Sequence, residues 1–415
     1  MKNVLILAVN FPPTGGVGVI RSLKYVKYLP EFGWNPIVIT VPEKSKKIVD
    51  HSMINEIPQD IEVHRPSFIN YKKFFPGDFV KLFRPIEKRL SFPDRFVQWN
   101  YFAFKYIKKH IIPRQMPDLI YTSTGPHSTI MLAHKLKRHF AIPFVLDFRD
   151  PFSFSQYAIL DTRDKWRQRA RDIEREVFAE ADRIINVSSI WQQKYEELYP
   201  FIKPKSSLIH NGYDEDDFKD LIPEKIKAPF TVGYNGTFSR VVPIDPLIKA
   251  IIEIHRKKNI RIRLRIATPI AVKKIKSSYP YLFENDLIDY KGFLPHRESL
   301  SSLMACHAAI LILNDIPATK GMIPAKTFEY LRTNRPILLL HRKGGHLEKL
   351  LSQTQTGFAV DINDHQQIIK GLLKLYNNWK TGTKSYKPRL DKIKTYERKY
   401  LTGKLAAVFD AICFE

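Results

Sequence analysis

The sequence predicts an α/β protein of two successive doubly wound domains, each a parallel sheet covered by helices on both faces. Three observations lead there. Short continuous apolar runs rich in β-branched residues alternate with helically spaced segments, as expected of strands buried on both faces. The alternation runs from Val4 to Leu198 and then restarts after Asn211-Gly212, a turn-forming pair followed by an acidic run. A chain of 415 residues also exceeds what one ordinary core holds.

In order along the chain, Val4–Val9 reads as the first strand, and Gly15–Gly18 as a glycine-rich turn. Val19, Leu23, Val26 and Leu29 give helical spacing up to Gly33. Pro36–Val41, Asp118–Tyr121, Phe144–Asp147 and Arg183–Val187 read as further strands, with a helix over His127–His139. Ser188-Ser189 is expected to cap a helix around Ile190–Leu198. The second set of strands is Phe230–Tyr234, Arg261–Ala267, Ile288–Tyr290, Ala308–Leu313 and Pro336–Leu340. Helices are expected at about 245–257, 298–305 and 324–332. The hinge falls near His210–Asp217, which gives domains of 1–210 and 211–385. A basic, then apolar tail over 386–415 is expected to form a helix returning to the first domain.

Hydrophobic content of 44% and aromatic content of 12% exclude a mainly disordered chain. Cys306 and Cys413 supply neither a disulfide framework nor a zinc cluster, which fits a reducing compartment. The apolar run after Met1 is too short for a signal peptide, and no run approaches the ~20 residues that span a bilayer. The expectation is a soluble, cytoplasmic protein. A formal charge of +25 calls for acidic partners. No zinc-finger spacing, basic zipper or RNP-like motif supports nucleic acid, so an anionic membrane surface is the expected one. Aromatic and cationic residues interleave over 71–114, as in interfacial membrane helices, although a core helix edged with lysine stems has the same pattern.

Phosphate-binding logic appears in both halves. In the first, Phe11-Pro-Pro-Thr-Gly-Gly-Val-Gly18 lies between a strand and a helix, where Gly15 and Gly16 let a ligand approach the backbone. Arg21 stands where a dinucleotide fingerprint wants its third glycine, and no acidic ribose partner ends the second strand, which argues against a dinucleotide. In the second, Pro324-Ala-Lys-Thr-Phe-Glu-Tyr-Leu331 reads as a helix start facing phosphate. Proline suits the first helical position. The amides of Ala325 and Lys326 then point outward for an anion, with Glu329 one turn on to accept hydrogen bonds from sugar hydroxyls. An ordinary amphipathic helix with Glu329 facing water reads the same.

With Tyr121-Thr-Ser-Thr-Gly-Pro-His127, Asp147-Phe-Arg-Asp-Pro151, His210-Asn-Gly-Tyr-Asp214 and Tyr234-Asn-Gly-Thr237, these segments resemble the retaining family-4 glycosyltransferases over nearly the whole chain. The resemblance implies a GT-B fold: two Rossmann-like domains facing a cleft, the second holding a nucleotide diphosphate sugar and the first an acceptor. It implies no metal and no cofactor beyond the donor, because helix N-termini and basic side chains take the metal's place. The absence of an Asp-x-Asp motif near a strand end agrees.

Residue by residue, the resemblance gives Glu329, the second of two family glutamates, the donor ribose, and leaves Gly321, without a carboxylate, where the first belongs. Pro324 replaces a glycine at the diphosphate, so Ala325 and Lys326 supply the donors there. Gly236 closes the strand turn beside them. Thr237 and Pro243 stand near the places of the family's arginine and lysine, leaving Arg240 as the nearest cation for the leaving phosphate, or else a solvated loop cation. His127 matches a histidine beside the transferred sugar, or else a simple helix cap. A helix N-terminus disfavours its charged form. Asp147, Arg149 and Asp150 follow a strand's carboxyl end, where ligands gather. Asp150 is the candidate for orienting an acceptor hydroxyl, and an internal ion pair is the alternative for Arg149. The implied activity is sugar transfer of the hexosyltransferase type to a lipid-linked or cell-surface glycan, at the inner face of the membrane, as in polysaccharide or lipopolysaccharide assembly. A catalytically silent GT-B binding subunit and a nucleotide-sugar epimerase are the rival expectations.

Overall fold

The computed structural model describes residues 1–45, 49–67, 91–154, 164–222, 226, 228–342, 344–383 and 386–413. The chain forms two compact units, Met1–Asn211 with Arg398–Glu415, and Gly212–Glu397.

The first unit holds seven strands: β1 (Lys2–Leu7), β2 (Trp34–Ile39), β3 (Glu62–His64), β4 (Leu119–Ser123), β5 (Phe144–Phe148), β6 (Arg183–Asn186) and β7 (Ser206–Leu208). They lie in the order β3-β2-β1-β4-β5-β6-β7, all parallel. The continuous apolar run of β1 serves both faces. Leu5 and Leu7 enter one core with Ile37, Ile39 and Leu146, while Val4 and Ile6 enter the other with Tyr25, Val26 and Leu405. The helix Arg398–Cys413 completes that second core, with the Phe409 ring 5.2 Å from Trp34 and 5.8 Å from Tyr121.

The second unit holds β8 (Phe230–Asn235), β9 (Ile262–Ala267), β10 (Ile288–Gly292), β11 (Ala308–Ile312), β12 (Ile337–Leu340) and β13 (Gly357–Val360). Their order is β10-β9-β8-β11-β12-β13, again all parallel. Ile310 and Ile312 face one core, Ala309 and Leu311 the other. The fold is therefore the expected pair of doubly wound parallel sheets. In each, strand order reverses beside the first strand of the unit, between β1 and β4 and between β8 and β11. Ligands bind beyond the carboxyl ends of the strands at that switch point.

Local expectations shift by a few residues. Ser188 occupies the N-cap of the helix Ser189–Leu198 but makes no side-chain capping bond. The helix expected to start at Pro324 begins at Lys326, with Ala325 as N-cap, and the Pro324 carbonyl accepts from the Thr327 amide. Of the segment 71–114, residues 71–90 lie outside the described residues. The remainder is a core helix: Trp99, Ala103, Ile107 and Ile111 are buried, while Lys105, Lys108 and Lys109 stay in water. Its interleaved pattern thus reflects one face in the core and lysines on the other. No described helix is long and apolar enough to cross a membrane.

Candidate functional site

In the second unit, the switch point brings together the turn after β8 and the helix Lys326–Arg332 that follows β11. Lys326 reaches back across this gap. Its Nζ donates to the Asn235 carbonyl at 2.8 Å and the Tyr234 hydroxyl at 3.1 Å, and lies 4.4 Å from the Tyr234 ring centroid. The Tyr330 hydroxyl accepts from the Asn235 amide at 3.0 Å, a second tie from the same helix to the same strand end. Burial pushes the Lys326 ammonium down to about 8, against the pull of Glu329. A lysine has three N–H groups. Two are used here, so the ammonium is an anchored cation with a donor to spare.

Gly236 explains how the ammonium fits. Its φ of +129° suits only glycine, and a Cβ there would lie 2.8 Å from Lys326 Nζ. The Gly236 amide itself donates to the Ala267 carbonyl at 2.9 Å, so this glycine supplies room rather than a phosphate donor. In the first turn of the helix, the Thr327 and Phe328 amides close onto Pro324 and Ala325, which places the Ala325 and Lys326 amides ahead of the first closed turn.

Glu329 is held by His296, whose Nε2 lies 2.9 Å from Glu329 Oε1, while His296 Nδ1 lies 3.9 Å from Asp217. The sequence reading missed His296. Its one signal is position, just after β10 at the start of the helix His296–Met304. Arg240 is exposed, and its backbone carbonyl accepts from the Asn314 side chain at 2.8 Å. The structure therefore brings Gly236, Lys326 and Glu329 together and leaves the Arg240 side chain in solvent.

In the first unit, the glycine turn after β1 and the Thr124-Gly125-Pro126-His127 turn after β4 flank the other switch point. Gly16 has φ of +100° and caps the helix Val17–Tyr28, while Gly15 is half-buried beside it. Arg149 stitches the two turns together. Its guanidinium donates to the Thr124 carbonyl at 2.7 Å, to Gly125 at 2.9 Å and to Gly18. Arg149 is thus a loop fastener bonded to carbonyls rather than the internal ion pair that the sequence suggests. The internal pair is Asp147 with Arg21, at 2.7 and 2.8 Å, fully buried. Tyr121 also donates to Asp147, and burial beside that carboxylate raises the tyrosine pKa well above its ordinary value. Asp147 is thereby occupied.

His127 sits at the N-cap of the helix Ser128–Phe140 without capping it. Its Nε2 lies 3.2 Å from the Asp150 carbonyl, and its ring stacks on Phe152 at 4.7 Å and 17°. Burial lowers its pKa, outweighing the opposite pull of the Asp150 carbonyl, so a neutral ring is favoured at pH 7. The exposed Asp150 carboxylate lies beside it. This corner offers a neutral imidazole and a carboxylate, a pair suited to hydroxyl groups.

Comparison with known proteins places the fold. Residues 23–217 match the family described as Glycosyltransferase Family 4. The whole chain is similar in fold to sucrose-phosphate synthase from Thermosynechococcus elongatus, at 14% identity and a TM-score of 0.65 over 99% of both chains. A glycosyltransferase from Rickettsia africae superposes at 16% identity and a TM-score of 0.67, over 99% of this chain and 98% of that one. The S. aureus MnaA–UDP co-structure superposes at 12% identity and a TM-score of 0.52, over 99% and 97%. The sequence matches none of the curated proteins. The fold is GT-B, and the first unit carries a glycosyltransferase sequence pattern.

Proposed function

We propose that the protein is a glycosyltransferase that moves a sugar from a nucleotide diphosphate sugar to a hydroxyl acceptor with retention at the anomeric carbon. The observation that carries this reading is the Lys326 ammonium held over Gly236 at the carboxyl edge of the sheet, one turn from Glu329. An anchored cation and free helix amides suit a diphosphate, and the Glu329 carboxylate suits ribose hydroxyls.

In this mechanism the bond from the anomeric carbon to the phosphate oxygen breaks first. Lys326 and the Ala325 and Lys326 amides take up the charge left on the diphosphate. The acceptor oxygen then bonds to the anomeric carbon from the same face. Its proton passes to the leaving phosphate, which supplies the base. On the resemblance alone, His127 is the group for the transferred sugar and Asp150 the one for the acceptor hydroxyl. No metal or further cofactor takes part. The net charge of +25 suits an acceptor at an anionic membrane surface, such as a lipid-linked glycan. Binding to vesicles containing phosphatidylserine is expected to fall as ionic strength rises, and binding equally strong to neutral vesicles counts against this part of the reading.

Calorimetric titration with UDP, GDP, ADP and CMP tests the donor site. One nucleotide diphosphate binds at micromolar strength, and Glu329→Ala weakens it by about tenfold or more, the loss of one or two charge-assisted hydrogen bonds. If none binds, a silent GT-B subunit is the better reading. A specific observation favours that alternative: Gly321 offers no carboxylate where the resemblance wants one, and Arg240 stands in solvent.

A further inference from the structure

Glu174, on the helix Asp164–Glu180, is fully buried among apolar side chains of the first unit. An ionisable carboxyl group is a costly choice there, since a well-packed apolar residue is as good or better for stability alone. What it gains is three hydrogen bonds. Its Oε1 accepts from the Ser153 amide at 2.9 Å and the Tyr195 hydroxyl at 3.1 Å, and its Oε2 accepts from the Tyr199 hydroxyl at 2.7 Å. The Tyr195 oxygen in turn accepts from the Phe152 amide at 2.9 Å. Consecutive backbone amides, Phe152 and Ser153, are therefore gripped by one buried cluster. Phe152 is the residue on which His127 stacks, two places after the Asp150 carbonyl that meets the same imidazole.

We propose that Glu174 is a positioning residue for His127, acting through the Phe152-Ser153 backbone that it fastens. The inference rests on the reading of His127 as part of the transfer site. Arg149 fixes the near end of the 149–153 turn to Thr124 and Gly125, and the Glu174 cluster fixes its far end. Between the two anchors, Phe152 and Asp150 hold the ring at one angle and keep water from one of its faces. The charged groups acting on the imidazole are Asp94, Asp150 and Arg149, and Glu174 reaches it only through packing.

The test follows the His127 imidazole by NMR in histidine-labelled full-length protein, assigned with His127→Gln. In Glu174→Ala the stacking loosens, water reaches the ring, and its titration midpoint rises toward the ordinary value of about 6.5. Glu174→Gln keeps the acceptor oxygen and the shape, and its midpoint stays with the parent protein. Where Glu174→Ala fails to fold, Tyr195→Phe removes the acceptor of the Phe152 amide and is expected to shift the midpoint the same way. An unmoved midpoint in a folded Tyr195→Phe or Glu174→Ala protein overturns the proposal. Sugar transfer is expected to lose about tenfold in kcat with donor KM unchanged, as for a misplaced group. Failure of the donor reading shows separately, as absent nucleotide binding in the parent protein, and leaves the imidazole titration to decide Glu174 alone.

Discussion

Replacing Asp147 with alanine is expected to destabilise the protein by about 3–5 kcal/mol, the usual cost of breaking a buried ion pair from one side. Arg21 then remains inside the first unit with the carbonyls of Ile209 and His210, at 3.0 and 2.8 Å, the Asn211 side-chain oxygen at 3.5 Å and the Tyr25 ring face to meet its charge. Burial works against that charge, and Asp147 with Tyr25 and Tyr121 more than offsets it, so the guanidinium pKa stands above its ordinary value in the intact pair. The pair spans the sheet's centre, linking the first helix to the end of β5 and to the chain just before the second unit. Urea unfolding followed by tryptophan fluorescence reads the loss, since Trp34, Trp99, Trp166 and Trp191 all lie in the first unit. The double variant Arg21→Met with Asp147→Leu removes both charges and is expected to recover most of the stability. A double variant as unstable as Asp147→Ala would sink the argument, and would place the loss in packing around Tyr121 instead.

That ion pair also shows where reading a sequence stops. Arg21 is visible as a departure from a glycine fingerprint, and Asp147 as a residue at a strand end. Nothing local joins two positions 126 residues apart, because their meeting depends on β1 and β5 flanking β4 in the sheet. Strands such as β1, β8 and β11 are legible because both faces are buried and the apolar run is unbroken. The edge strands β3 (Glu-Val-His) and β7 (Ser-Ser-Leu) are not, since three residues with none buried carry no pattern. The strand β13 escapes for a similar reason: only Ala359 and Val360 of its four residues are buried. A helix over Lys326 and Glu329 is legible from periodicity, two residues later than proline placement suggests, whereas the partners Tyr234 and His296 come from another strand and another helix and need the fold. Asp147 and Arg149 look alike in sequence as strand-end charges. Burial separates a structural pair from a backbone fastener.

Replacing Lys326 with methionine is expected to weaken nucleotide diphosphate binding by about 1.5–3 kcal/mol, the worth of a hydrogen bond from a charged donor, or roughly 10- to 150-fold in Kd. Methionine keeps the length and burial of the stem, so the packing of the helix onto Tyr234 is retained while the charge is lost. The pH dependence separates the effect from misfolding. In the free protein burial holds the ammonium at about 8, and a diphosphate beside it raises that value. The complex then binds more protons than its components, so affinity is level below about pH 8 and falls as pH rises above it. Calorimetry near pH 8 should show a heat that varies with the buffer's ionisation enthalpy, and Lys326→Met should abolish that variation. Stability runs the other way. Because the folded pKa lies below the unfolded value of about 10.4, the unfolded chain holds more protons between the two, and folding becomes more favourable as pH rises through that window. Removing this lysine therefore takes away a cost to folding and a contact to the ligand together. A variant that is as stable as its parent near pH 8, or more so, and still fails to bind nucleotide assigns the ammonium to the ligand. One that binds normally with unchanged proton uptake leaves Lys326 as a strap between β8 and its helix.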